Sequence, residues 1–162
     1  MKLPENDYQI VQLTDLFYQQ YLNPPYIEIL KKRKRAYNCL LFQTHYNYLI
    51  CIPYRSEITH SFSYLFKKSR RSKKHNSGLD YTKILIIEKL EYIDTKDAII
   101  DKDEYIETLR SFDKIKRDAL EYVEEYVDHI NKSKIMHPRL FKRKYGFSTL
   151  KYFHKELGLT NP

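Results

Sequence analysis

Two kinds of apolar spacing divide the chain. Between Tyr37 and Ile87 the apolar residues come in short dense runs rich in β-branched and aromatic types, and after Asp103 they recur at steps of three and four. The first is the spacing of buried strands and the second that of an amphipathic helix. Tyr37 to Thr44 and Tyr48 to Tyr54 read as two buried strands joined by a turn at His45-Tyr46-Asn47, an antiparallel hairpin over 37–54. Pro53 is expected to mark its end, because proline has no N–H for a central ladder. Ile84-Leu85-Ile86-Ile87 supplies a third core strand within Tyr81 to Lys89. Shorter strands are expected at Tyr8 to Leu13, in the apolar patch Phe62 to Phe66, and within Tyr92 to Ile100.

The helical signals are of three kinds. Thr14 reads as the N-cap of a short helix from Asp15 to Leu22. Asn23-Pro24-Pro25 ends it, and an extended basic connection runs on to Arg35. Tyr105, Leu109, Phe112, Ile115, Ala119, Val123, Tyr126 and Ile130 predict one helix from Asp103 to Ile130, with its acidic side chains in solvent. Pro138 at a first helical position opens a helix to Tyr145, Gly146 stops it, and Ser148 caps a last helix through Leu157. The expected fold is therefore α+β. A small antiparallel sheet or partial barrel precedes a long helix and a helical tail, all in one domain over 1–162.

Charge changes this picture more than composition does. The chain carries 29 Lys and Arg against 21 Asp and Glu, a formal net charge of +8. Residues 1–87 hold 14 basic and 6 acidic side chains, residues 88–131 hold 7 and 14, and residues 132–162 hold 8 and 1. Two basic runs stand out: Lys31 to Arg35, and Lys67 to Lys74 followed by His75. Like charges packed this closely repel one another, and a polyanion relieves the repulsion. A solvated basic face is the plain alternative for either run. The two flank one apolar segment, and a third basic tail follows, which favours nucleic acid. Mean hydropathy is −0.67, and no stretch approaches the roughly 18 apolar residues of a membrane span. Met1 to Asn6 is polar and no apolar leader follows, so a cytoplasmic protein without membrane partners is expected. Cys39 and Cys51 lie in apolar runs, as buried reduced thiols do.

Candidate chemistry is sparse. Three glycines cannot build a phosphate loop, and no Cys or His pair has metal-ligand spacing. No metal site and no cofactor are expected. One segment stands apart: Pro53-Tyr54-Arg55-Ser56-Glu57-Ile58-Thr59-His60, at the end of a core strand and between the basic runs. RNA brings its own nucleophile, the 2′-hydroxyl. A site needs only to move protons and hold the phosphoryl oxygens, work within reach of His, Arg, Lys and a Ser hydroxyl. On the residues alone, an ordinary loop with a surface histidine explains the same segment.

At this point the chain resembles the ToxN/AbiQ family of type III toxin–antitoxin endoribonucleases, and within it the CptN branch. The resemblance rests on Arg35-Ala36-Tyr37-Asn38-Cys39-Leu40-Leu41, Cys51-Ile52-Pro53-Tyr54-Arg55-Ser56, Leu65-Phe66-Lys67 and Ser77-Gly78-Leu79-Asp80-Tyr81-Thr82-Lys83-Ile84. The order of these stretches agrees over nearly the whole chain. It implies a barrel-like sheet related to the MazF-type toxins and metal-independent RNA cleavage leaving a 2′,3′-cyclic phosphate. It implies a folded pseudoknot antitoxin RNA, processed by the toxin and bound to it in a toxin–RNA assembly. Cleavage of cellular or phage RNA would then cause growth arrest or abortive infection. Ser56 matches the family's serine, Arg55 stands where relatives often have Thr, and His60 replaces a bulky side chain. The resemblance makes Ser56, Arg55, His60 and Lys67 the catalytic set. Together with the basic runs it makes Arg33, Lys34, Arg35, Tyr37, Lys68, Arg70, Arg71, Lys73, Lys74 and Lys83 the expected RNA-binding set, with Arg35 matching a basic position of the family. Two other readings use the same basic surface: a non-catalytic RNA- or DNA-binding module, and a scaffold docking an acidic protein.

Overall fold

The computed structural model describes residues 8–22, 24–31, 37–94, 96 and 98–159. Strands β1 (Tyr8–Gln12), β2 (Asn38–Gln43), β3 (Leu49–Arg55), β4 (Ser63–Leu65), β5 (Gly78–Asp80) and β6 (Leu85–Ile87) form one antiparallel sheet. Its order is β1-β2-β3-β5-β4, and β6 also pairs with β3. The edge strands β1 and β4 do not meet, so the fold is α+β with an open sheet rather than a barrel. The hairpin register places Cys39 opposite Pro53 and Phe42 opposite Ile50. Cys39 to Phe42 and Leu49 to Ile52 are wholly buried, as continuous apolar runs covered on both faces must be. Both cysteines are free thiols in this core.

Helices α1 (Asp15–Gln20), α2 (Arg70–His75), α3 (Lys102–Arg110), α4 (Phe112–Ile130) and α5 (Pro138–Tyr145) surround the sheet. Phe112 at the start of α4 meets Tyr8 and Phe42, with ring centroids 4.4 and 5.9 Å away. Phe17 of α1 meets Tyr92 edge-on, and Tyr21 just beyond α1 meets Phe153 of the C-terminal segment. Thr14 stands at the N-cap of α1, but its hydroxyl donates to the Glu91 carbonyl rather than capping the helix.

Several expectations are corrected by tertiary contacts. Pro53 does not end β3, which continues to Arg55. On the side away from β2, β6 pairs only with residues 49–51 and β5 only with 54–55, so Pro53 falls in a gap where no ladder bond is required. The gap is bridged by a 3-10 turn at Tyr81–Lys83, where the sequence pattern suggests strand. The described residues between Tyr92 and Ile100 form no strand: a 3-10 turn covers Leu90–Tyr92, and one isolated bridge joins Leu13 to Ile93. The last helix is a 3-10 turn, Thr149–Tyr152, capped by Ser148 as expected.

The long helix is broken at Ser111, whose φ of −106° and ψ of 11° leave the helical region. The reason lies on the inward face of α3, which is polar. Glu104, Glu107 and Thr108 are buried, whereas Tyr105 and Leu109, expected in the core, are exposed. Glu107 accepts the backbone N–H groups of Lys67 and Lys68 at 3.0 and 3.3 Å and the Tyr64 hydroxyl at 3.0 Å. Glu104 accepts the Ser69 and Ser77 hydroxyls at 2.8 and 2.9 Å. These carboxylates are not solvated, as the acidic helix face suggests. They satisfy buried donors of the basic loop.

That loop contains α2, which has no apolar periodicity. Its buried residue is Ser72, and the Ser69 side chain accepts the Ser72 N–H as an N-cap. Gly78 opens β5 because a Cβ there would stand 2.2 Å from the Tyr64 carbonyl oxygen of β4. This close approach sets Asp80 two residues further on.

Candidate active site

The end of β3 carries the candidate chemistry. Arg55 pairs in register with Gly78, and its Nη1 reaches Asp80 Oδ2 at 3.0 Å. Asp80 is completely buried. Its other oxygen, Oδ1, accepts the Thr82 N–H at 3.0 Å and the Thr82 hydroxyl at 2.6 Å. His60 Nε2 lies 3.2 Å from the same oxygen, off the axis of a good hydrogen bond, so this is a contact of charge proximity. Burial pushes the Asp80 carboxyl up, but His60, Thr82 and Arg55 together outweigh it and hold the group below its usual value. The carboxylate is thus kept ionised inside the protein by the groups it positions.

His60 Nδ1 accepts the Phe62 N–H at 3.1 Å, which leaves the ring proton of the neutral histidine on Nε2, facing Asp80. Both ring nitrogens point inward. The ring stacks on Phe62 at a centroid distance of 5.9 Å.

Arg55, His60, Phe62 and Thr82 open on a cavity of about 300 Å³, lined also by Glu28, Lys83, Arg143, Lys144 and Phe147. Lys83 is nearly buried and already engaged, to Glu28 Oε2 at 2.7 Å and the Phe147 carbonyl at 2.9 Å, so it stiffens the wall rather than offering a free charge. Lys144 is paired with Glu125 and lies over Phe62 at 5.9 Å. Arg143 is exposed at the rim, beside Phe147, which is 73% exposed. A basic recess with two accessible aromatic rings can hold a phosphate and stack a base.

The catalytic set expected from sequence is therefore divided. Arg55 and His60 meet on Asp80. Ser56 is half-buried, Lys67 is exposed, and neither lines the cavity. Ser56 lies one residue past the end of β3, in a bend, and only Arg55 of the two reaches the cavity wall. Lys68, Arg70, Arg71, Lys73 and Lys74 are exposed on α2 and the turn before it. Tyr37 is half-buried and packs against the core. Arg33, Lys34 and Arg35 lie outside the described residues.

Sequence pattern does not single out Asp80, Thr82, Phe62, Glu28, Arg143, Lys144 or Phe147. Only Asp80 and Thr82 carry a local signal, the two-residue spacing of an Asx turn. Arg143 and Phe147 reach the site from more than 80 residues along the chain, and nothing in their local pattern points there. Opposite in sign, Glu121, Glu124, Glu125 and Asp128 line a second cavity of about 500 Å³ between α4 and the α5 region. Among the described residues, no three His, Cys, Asp or Glu side chains gather in a metal-holding group, and no helix is long and apolar enough to cross a membrane. Comparison with protein-family models, with curated proteins and with solved structures gave no match for this chain.

Proposed function

We propose that this protein is an endoribonuclease toxin of the ToxN/AbiQ kind, with an open sheet distantly related to the MazF-type barrel. The observation that carries the reading is the end of β3. There Arg55 is locked on buried Asp80 inside a basic, aromatic-rimmed recess, and Ser56 follows it directly. RNA lying across this strand end would place a phosphate near Arg55 and a base against Phe62 or Phe147. Attack by the 2′-oxygen forms the 2′,3′-cyclic phosphate and expels the 5′-oxygen. The Ser56 hydroxyl supplies a hydrogen-bond donor to the phosphoryl oxygens as negative charge builds, and Arg55, one residue away in the adjoining recess, adds positive charge nearby. The inhibitor would be a folded pseudoknot RNA, gripped along the exposed cations of α2, and the targets cellular or phage RNA.

The test is incubation with end-labelled RNA in excess EDTA. Cleavage is expected to survive, leaving 2′,3′-cyclic phosphate ends. Activity lost in EDTA and restored by magnesium would refute the mechanism. A second reading, an RNA-binding module without catalysis, is favoured by the inward-turned nitrogens of His60. It predicts tight binding and no cleavage in the same assay.

The α2 cations should grip phosphates without reading bases. Replacing Arg70, Arg71, Lys73 and Lys74 together by Glu is expected to weaken RNA binding at least tenfold. The salt dependence should flatten by about 0.7–0.9 in log–log slope for each phosphate that these side chains no longer neutralise. Filter binding across a salt series checks both, and an unchanged slope would return α2 to plain solvated surface.

A further inference from the structure

A second histidine stands where His60 does not. Beyond β3 the chain turns sharply: Glu57 has a φ of 59°, a left-handed conformation that is strained for a residue with a Cβ. Neighbouring backbone holds it there, because the Glu57 N–H donates to the His75 carbonyl and the Ile58 N–H to the Asn76 carbonyl at 3.2 Å. The same turn brings the side chains together, with His75 Nδ1 2.7 Å from Glu57 Oε1. Strained backbone kept in place by its surroundings is a mark of functional sites. Here the strained residue directly follows Ser56 and carries the carboxylate that orients an imidazole.

We propose that His75, oriented by Glu57, is the group that takes the 2′-hydroxyl proton of RNA bound at Ser56. The inference rests on the ribonuclease reading above and adds the missing proton acceptor to it. With Nδ1–H given to Glu57, a neutral imidazole carries its lone pair on Nε2. No other group of the described residues bonds that nitrogen, and the side chain is 54% exposed. His60, by contrast, spends Nδ1 on Phe62 and turns Nε2 to Asp80. The exposed cations Lys73 and Lys74 precede His75 on α2, where they can steer the RNA backbone toward it.

The step balances without a further reactant. His75 Nε2 accepts the proton as O2′ bonds to phosphorus. The P–O5′ bond breaks, the 5′-oxygen leaves with a proton from solvent, and the imidazolium returns its proton to solvent. Glu57 is a positioning residue: it fixes the tautomer and the ring, as an acid behind a histidine does in other proton-transfer sites.

The experiment measures single-turnover cleavage of an RNA that the wild-type protein cuts, beside its binding affinity. His75→Gln is expected to slow cleavage at least a hundredfold, in line with the usual contribution of a positioned base, and to leave affinity within about threefold. Added imidazole is expected to restore a large part of the lost rate to His75→Ala, which a purely structural or phosphate-binding role would not allow. Glu57→Gln is expected to lower the rate about tenfold and to shift the pH–rate profile, with Glu57→Asp recovering part of the loss. Both positions are exposed, and melting curves confirm that each variant folds. Wild-type rates in His75→Gln, or loss of rate with no rescue by imidazole, would overturn the assignment while leaving the ribonuclease reading intact. Wild-type protein that binds RNA and never cleaves it would overturn the reading itself.

Discussion

Asp80→Ala is expected to lower the free energy of unfolding by about 3 kcal/mol, the low end of the range for breaking a buried charge pair. Three hydrogen-bond donors converge on this carboxylate, Arg55 and the N–H and hydroxyl of Thr82, and His60 Nε2 lies beside it at 3.2 Å. Truncation strands the three donors and leaves His60 without its carboxylate neighbour. The cost stays at the low end because Arg55 and His60 keep 27% and 30% of their side-chain surface in contact with water. The effect has a defined pH dependence. Asp80 titrates below its ordinary value in the folded protein, so its contribution is fully present above the unfolded value of about 3.9 and is lost as pH falls through the folded value. The stability gap between wild type and Asp80→Asn should therefore shrink as pH falls from about 5 towards 3. Urea unfolding across that range measures it, and a gap independent of pH would show that Asp80 acts through packing alone.

Ser56→Ala is expected to cut the cleavage rate on the order of a hundredfold, equivalent to about 2.7 kcal/mol of barrier, with the fold unaffected. The hydroxyl stands at the mouth of a rigid strand: β3 is buried from Leu49 to Tyr54 and anchored on both edges by β2, β6 and β5. A donor on backbone anchored by that strand needs little reorganisation as charge builds on the phosphoryl oxygens. Ser56 is itself only half-buried, so the variant should melt within about a degree of wild type, as surface substitutions do. Single-turnover cleavage and a melting curve on the same preparation separate the two effects. A Ser56→Ala protein that cuts RNA at the wild-type rate would remove this residue from the site.

The parts of the fold legible in the sequence are those in which apolar periodicity does the work. The hairpin of β2 and β3, the strand patch at β4, the core of β6 and the helix opened by Pro138 follow from local pattern, because burial alone dictates them. The segment at the end of β3 is legible for the same reason, since a buried run that ends in Arg55-Ser56-Glu57 must present polar groups at an edge. Local pattern misleads wherever a polar group is buried for a distant partner. Glu104 and Glu107 look like solvent-facing acids until Ser69, Ser77 and the Lys67–Lys68 backbone are seen to need acceptors. The helix α2 has serines where a core helix would have leucines.

The site divides along the same line. Order along the chain alone picks out residues 55–60 and the basic run beside them as the candidate chemistry. Which histidine faces inward and which faces out is decided by Asp80 and Glu57, 20 and 18 residues away from their partners in sequence. Local sequence sets backbone preference and hydrophobic period, which act over a few residues. The orientation of an imidazole depends on which carboxylate the folded chain delivers to which nitrogen, and that contact forms only when β5 and α2 close against the end of β3.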